Sequence, residues 1–104
     1  MKNTLSMTKV LSKILSRKTA PEIFDLLPQI LTDKELEFVE NRLRIAFLLR
    51  QGKSYTQIQQ ELKVSAATVA VVAEQLKQEQ FSAFVDQVEK EMTRFAWLKK
   101  RIEV

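Results

Sequence analysis

Residues 54–76 constrain the fold more than any other segment of this chain. Their sequence, SYTQIQQELKVSAATVAVVAEQL, predicts a short helix, a three-residue turn and a longer helix. Ser54 and Ser65 are each placed to cap a helix, and aliphatic residues of both helices and the turn can meet to hold a steep crossing angle. This pattern is typical of a helix-turn-helix, whose second helix commonly enters the major groove of DNA. The aliphatic positions are Ile58, Leu62, Val64 and Val69.

The rest of the chain has the same helical character, and we predict an all-α fold of about six helices in a single domain over residues 1–104. One glycine and two prolines in 104 residues favour helices over strands and turns. Apolar residues recur at spacings of three and four. They predict helices over residues 4–17, after Thr19, from Thr32 to about Gln51, in both halves of the motif, and over residues 78–102.

Local signals set the predicted helix ends. Capping boxes are expected at Thr19 with Glu22, at Thr32 with Glu35 and at Ser54 with Gln57. Pro28 is expected to end or kink the second helix, and Gly52 to end the third. The third helix should bury one broad face. The aromatic residues of the last helix should pack, and the alternative is an exposed aromatic stripe that marks a partner surface. The first set is Leu36, Val39, Leu43, Ala46, Phe47 and Arg50, and the second is Phe81, Phe84, Phe95 and Trp97.

Composition excludes several functional classes. The chain contains no cysteine and no histidine, so disulfides, thiolate metal sites and the usual general base are absent. The acid pairs Glu35/Glu37 and Glu89/Glu91 lack a predicted pocket and are expected to be solvated, so we predict neither an enzyme nor a cofactor. The apolar runs are short and interrupted by charge, so neither a membrane span nor a signal peptide is expected. A cytoplasmic protein is predicted.

Charge is distributed unevenly along the chain, although the net charge is only +4. Residues 1–20 carry +5 and no acid, residues 21–40 carry −5, and residues 41–64 carry +4. A basic arm and a basic patch around the motif suit a protein that follows DNA phosphates. The plain alternative is that these basic residues lie on solvated faces of the protein and bind nothing. The same two interpretations apply to Arg42 and Arg44, since acids on their own helix can pair with them.

The motif predicts two sets of DNA contacts. Exposed residues near the start of the second helix face base edges, where methyl groups can contact thymine and a hydroxyl can donate. No positive charge lies between Ser65 and Glu74, so contacts from arginine to guanine are excluded. The predicted base contacts are Ala66, Ala67, Thr68 and Ala70. The predicted phosphate contacts are Lys53, Tyr55, Thr56, Gln57 and Lys63.

Residues from about 14 to 77 resemble the tryptophan-repressor superfamily, especially its smaller tryptophan-repressor-like bacterial proteins. The resemblance is carried by ILSRKTAPEIFDLLPQILTDKELEFVENRLRIAFLLRQGKSYTQIQQEL and by VSAATVAVV. Its most specific part is LTDKELEFVENRLRIAFLLRQGKSY, with a capping box, Arg42 and Arg44, an aliphatic run and Gly52 in that order. The resemblance implies an all-helical, intertwined homodimer. Each subunit would present a helix-turn-helix to double-stranded DNA.

The resemblance also implies an effector pocket, in which Thr32 and Arg42 match the family's ligand-binding residues. Val71 stands where the family has a second arginine, and valine can neither stack as a guanidinium does nor pair with a carboxylate. Tryptophan is therefore not expected as an effector, and any small-molecule effector is doubtful. Gln59 and Lys63 stand where a small alanine and a glycine are usual. Lys63 would need a left-handed or adjusted turn, which costs roughly 1 kcal/mol.

Two functions follow from these observations. The first is a dimeric, repressor-like transcriptional regulator that does not respond to tryptophan. The alternative is an interaction module in which the apolar residues 66–73 contact another protein or close a dimer. A simpler interpretation of the same segment is that residues 69–73 belong to the core or to a dimer contact.

Overall fold

The computed structural model describes the backbone of residues 5–102 and the side chains of residues 5–95. Trp97 lies outside the described side chains. Residues 5–102 contain helices and no strand, so the predicted all-α class is confirmed. The helices are α1 (Met7–Leu15), α2 (Ala20–Ile30), α3 (Asp33–Arg50), α4 (Tyr55–Leu62), α5 (Ala66–Gln75) and α6 (Glu79–Ile102).

Side-chain caps begin α2, α3, α4 and α5 where the sequence predicts them, whereas α1 begins at Met7 after the unpredicted cap Ser6. The Thr19 hydroxyl accepts from the Glu22 amide at 3.4 Å, and the Glu22 carboxylate accepts from the Thr19 amide at 2.8 Å. Thr32 with Glu35, and Ser54 with Gln57, repeat this reciprocal pair. All three predicted capping boxes are therefore confirmed. The backbone hydrogen bond from Thr19 lowers the pKa of Glu22, because it stabilises the charged carboxylate.

Two helix ends adopt positive φ angles. Gly52 has φ 86° and ends α3 as predicted, since its amide donates to the Leu49 carbonyl and the Lys53 amide donates to the Leu48 carbonyl. Lys63 ends α4 in the left-handed conformation, with φ 57° and ψ 48°. Pro28 does not end α2, which continues to Ile30. A proline one turn from a helix end removes only one hydrogen bond, and solvent can reach the exposed backbone there.

The contacts divide the chain into two compact units, Met1–Glu37 and Phe38–Val104. Neither α1 nor α2, in the N-terminal unit, contains a buried residue. Their aliphatic side chains are half-buried at best, and Phe24 is 75% exposed. The N-terminal unit is therefore held by helix caps and partial apolar contacts. The single domain over residues 1–104 stays a prediction of the sequence.

The C-terminal unit has a true core, to which α3, α4, α5 and α6 all contribute. Its fully buried side chains include Ile58 of α4, Val69 of α5 and Val85 of α6. Half-buried aliphatic and aromatic side chains pack around it. The buried set is Ile45, Ala46, Leu48, Ile58, Val69, Val72 and Val85. This core fixes the position of the helix-turn-helix.

The predicted packing of α3 and α6 needs correction. Val39 is 45% exposed, whereas Ile45 and Leu48, which lie outside the predicted face, are buried. Residues 45–49 are continuously apolar, so spacing alone does not select which of them face the core. On α6, Phe81 packs against the core as predicted, but Phe84 is exposed and Phe95 is 69% exposed.

Arg50 joins the end of α3 to α6. Its guanidinium donates to the carboxylates of Asp86 and Glu89, the latter at 3.0 Å, and to the Ser82 carbonyl at 2.8 Å. The hydrogen bond to Asp86 contributes most to raising the pKa of Arg50 above its ordinary value. This cluster supports the helix end from which the helix-turn-helix begins.

Candidate nucleic-acid interface

Helices α4 and α5 form the predicted helix-turn-helix, joined by residues 63–65. Ile58 and Val69 are fully buried in the core, and Leu62 and Val64 pack against it. The four predicted aliphatic positions are therefore confirmed as the residues that hold the two helices together. Lys63 makes the sharp turn in the left-handed conformation. This was expected, because the family usually has glycine at the matching position.

Ser65 caps α5 and also engages Thr68. The Ser65 hydroxyl accepts from the Thr68 amide at 3.1 Å, and the two hydroxyl oxygens lie 2.9 Å apart. Thr68 is half-buried. Its hydroxyl is thus oriented by the cap at the first turn of α5, which limits the directions in which it can donate to a ligand.

Helix α5 has two different faces. Val69 and Val72 are buried, whereas Ala66, Ala67 and Ala70 are exposed. Val71 is 58% exposed. The interpretation of residues 69–73 as core therefore holds for only part of that segment. The predicted base contacts are exposed, except for the half-buried Thr68. Whether that surface contacts bases stays a prediction.

The predicted phosphate contacts are all exposed and lie on α4 or directly beside it. Tyr55 and Thr56 are the first two residues of α4, where backbone amides have no intrahelical acceptor and the helix dipole favours anions. The Gln57 side-chain oxygen accepts from the Ser54 amide, so the NH₂ of Gln57 remains as its donor. Lys53 precedes this helix and Lys63 follows it.

Positive charge lies at the periphery of the motif. Lys77, two residues after α5, donates to Glu74 at 2.9 Å, and this hydrogen bond raises the pKa of Lys77. Arg44 lies 3.8 Å from Glu40 on the same helix, as the surface-pairing interpretation predicts. Among the described residues, Arg42 has no acidic partner within 4 Å. Arg42 and Arg44 therefore differ in their environments.

A groove of about 380 Å³ lies between α3 and α5. Arg42 and Thr68 line it together with apolar side chains. The side-chain oxygen of Gln75 is buried and has no hydrogen-bond partner among the described residues. No spacing rule in the sequence indicates Gln75. Thr32, the other predicted effector residue, accepts from the Glu35 amide at 3.1 Å as a helix cap. The groove is lined by Phe38, Arg42, Ala67, Thr68, Val71, Val72 and Gln75.

The family model described as "Trp repressor protein" matches residues 5–89, which include α1 to α5 and the first part of α6. The chain belongs to the Trp repressor family. The resemblance predicted from the sequence is confirmed. The Trp repressor family is a regulatory, DNA-binding family, and the matched residues include the capped and core-supported helices α4 and α5.

A relative is also found among curated protein sequences. The "Uncharacterized protein YerC" of Bacillus subtilis (strain 168) is 30% identical over 66 residues. The match spans 64% of this chain and 64% of YerC. No solved structure matches the chain significantly. None of the helices within the described residues combines the length and the hydrophobicity that a transmembrane segment requires.

Proposed function

We propose that this protein is a repressor-like transcriptional regulator that binds operator DNA as a homodimer. The exposed face of α5 carries the proposal, because the core holds Val69 and Val72 while Ala66, Ala67 and Ala70 point to solvent. Two such helices related by a twofold axis would enter successive major grooves, with half-sites about one helical turn apart. A regulator of this kind acts on the chromosome, so we propose a cytoplasmic location.

The chemistry of α5 favours a particular kind of operator. Methyl groups of Ala66, Ala67 and Ala70 complement thymine methyl groups, and α5 offers no guanidinium to guanine. Affinity would then depend on phosphate contacts from Lys53, Tyr55, Thr56, Gln57 and Lys63. If a dimer neutralises about six phosphates, log affinity falls with log salt at a slope of about −5.

Exposed apolar side chains support the homodimer. Phe24 in the N-terminal unit and Phe38, Phe84 and Phe95 in the C-terminal unit are all exposed in the single chain. Aromatic side chains such as these are enriched at protein–protein interfaces. A second copy supplies a matching apolar surface without requiring another gene product, which is the usual arrangement in symmetric oligomers.

We propose that the regulator does not respond to tryptophan. Val71 lines the groove at the position where the family has an arginine, and it offers no charge to a carboxylate. Arg42 is the cation that lines this groove. Adding tryptophan should leave operator affinity unchanged, and an increase of tenfold or more would contradict this part of the proposal.

An interaction module is the second candidate, because Val71 and Phe38 leave exposed apolar surface along the same groove. In that case the α5 face binds a protein and not DNA. The two candidates predict different effects of a charged residue at position 71 on DNA binding and on the dimer.

The matched variants Val71→Arg and Val71→Glu distinguish the two candidates. For a DNA-binding face, fluorescence anisotropy with selected duplex fragments should show tighter binding by the arginine variant and weaker binding by the glutamate variant. Stability should change by less than about 0.5 kcal/mol in both, because the side chain is exposed. If both variants dissociate the dimer and neither changes DNA affinity, the interaction module is correct.

A further inference from the structure

We propose that the basic surface of α1 and the turn after it is a second phosphate-binding surface, separate from the helix-turn-helix. We call it the α1 basic surface, and it consists of Lys9, Lys13, Arg17 and Lys18. The inference rests on the proposed DNA-binding function. It adds a site that binds the duplex backbone without contacting bases.

The cations of this surface are exposed and form no ion pair among the described residues, although Lys18 lies close enough to Glu22 to help lower the pKa of that carboxylate. Among the described residues, none of the four has a carboxylate within 4 Å. No aspartate or glutamate precedes Glu22 in the sequence. Several cations elsewhere do pair with nearby acids, namely Arg44 with Glu40, Lys77 with Glu74 and Arg94 with Glu91.

The arrangement opposes the stability of α1 in the absence of an external anion. Lys9 and Lys13 are four residues apart on one helix face, and a like-charge pair at this spacing destabilises a helix. The helix dipole favours cations at the C-terminal end, which accounts for Lys13 and the turn residues. The helix dipole does not account for Lys9, nor for the absence of acidic residues from the first turn of α1, where the dipole would favour them. A bound polyanion accounts for both.

The geometry favours duplex DNA over an anionic membrane. Lys9 and Lys13 lie one helical turn apart in α1, which places them about 6 Å apart along its axis, and Arg17 and Lys18 follow in the turn after the helix. Each strand carries one phosphate per 3.4 Å of duplex axis, so cations about 6 Å apart can each contact a different phosphate of the backbone. A membrane-surface helix needs its apolar face free for insertion. In α1, Val10, Leu11 and Leu15 are instead half-buried within the protein, which leaves only Met7 and Ile14 of its apolar side chains exposed.

The test measures the salt dependence of DNA binding for the wild-type chain and three variants. The variant Lys9→Gln/Lys13→Gln/Arg17→Gln removes three cations from the α1 basic surface. A matched control, Lys34→Gln/Lys90→Gln/Arg94→Gln, removes three cations elsewhere and makes the same change in net charge. Affinity for one duplex selected from genomic fragments is measured by fluorescence anisotropy from low to moderate salt.

We expect the α1 variant to lower the salt slope by about 1 for each phosphate that it no longer neutralises, while the order of preference among duplexes is unchanged. The control should keep the wild-type slope. The charge-conserving variant Lys9→Arg/Lys13→Arg should also keep it, which separates loss of charge from loss of folding. Circular dichroism monitors the helical content of each variant.

Three outcomes overturn the inference, and they are distinguishable. If the wild type binds with a steep slope and the α1 variant has the same slope, the inference fails and the proposed function stands. If both triple variants lower the slope equally, net charge is responsible and not the α1 basic surface. If no duplex is bound by the wild type even at low salt, the proposed function itself fails. Vesicles containing phosphatidylserine then show whether the surface binds a membrane.

Discussion

The helix pairs α1–α2 and α4–α5 have similar local signals but different packing. In both pairs, short helices begin at serine or threonine caps, and one helix has a complete capping box. Yet α4 and α5 place Ile58, Val69 and Val72 in a solvent-free core, whereas α1 and α2 bury no residue. Capping and periodicity thus specify where helices form, but not whether a single chain can cover their apolar faces.

This difference suggests that the two pairs obtain their stability in different ways. The α4–α5 pair is stabilised within its own unit by burial of aliphatic side chains, the dominant favourable contribution to folding. The α1–α2 pair leaves Phe24 75% exposed and its aliphatic residues partly exposed. We therefore expect α1 and α2 to gain most of their stability from contact with a second copy of the chain.

The largest expected effect tests this difference directly. Ile58→Ala should lower the free energy of unfolding by about 3 kcal/mol, since it opens a cavity at a fully buried site. Ile23→Ala, at a half-buried position in α2, is the matched control. Its effect in urea denaturation should be smaller in dilute protein and should increase with protein concentration. Equal and concentration-independent losses would show that the comparison is wrong.

The next effect concerns the support of α3 by α6. Arg50→Gln should lower the free energy of unfolding by about 2 kcal/mol, because its hydrogen bonds to two carboxylates and a carbonyl are weakened or removed. Arg44→Gln removes a long, exposed pair with Glu40 and should change stability by less than about 0.5 kcal/mol. Thermal or urea unfolding of both variants checks this. Similar small losses would mean that the Arg50 cluster contributes no more than a surface pair.

A stabilising substitution is expected at the turn of the helix-turn-helix. Lys63→Gly should raise the free energy of unfolding by about 1 kcal/mol, because glycine adopts the left-handed conformation without a Cβ penalty. Gln60→Gly, in the interior of α4, should instead lower it by about 1 kcal/mol. Urea denaturation of the two variants should therefore give opposite signs. A loss of stability in Lys63→Gly would contradict the role assigned to the left-handed turn.

The smallest expected effect is confined to the start of α2 and depends on pH. The pKa of Glu22 is lowered in the folded protein, so its capping interaction is present above the ordinary value of 4.5 and is lost as pH falls through the folded pKa. An NMR titration should show the Thr19 amide resonance moving in that acidic range. The Ser54 amide is a built-in control, because its capping partner is Gln57, which does not titrate. Parallel shifts of both amides would indicate global acid unfolding.

Much of the fold could be predicted because its determinants are local. Capping boxes at Thr19, Thr32 and Ser54 and the glycine at position 52 act within a few residues, and all appear where expected. The left-handed Lys63 was also predictable, since the turn between α4 and α5 leaves little alternative. The order of the helices and the residues that join α4 to α5 follow from the same patterns.

The remaining features depend on contacts between segments distant in sequence. Spacing did not identify Ile45 and Leu48 as the buried residues of α3, because a continuous apolar run has no unique face. The Arg50 cluster joins residues more than thirty positions apart, and the buried oxygen of Gln75 arises from packing alone. The exposed part of the candidate interface was predictable from α5 periodicity, but its contacts with DNA depend on a partner molecule.

One measurement tests the central claim most directly. Purified wild-type protein and a Lys53→Gln/Lys63→Gln variant are titrated with duplex fragments of the encoding genome at two salt concentrations, while light scattering determines molar mass. We predict that a dimer binds, that a few fragments are retained at moderate salt, and that the variant binds all fragments more weakly without changing their order. Absence of binding by the wild type at low salt, or binding by a monomer with no preference among fragments, would contradict the proposed regulator.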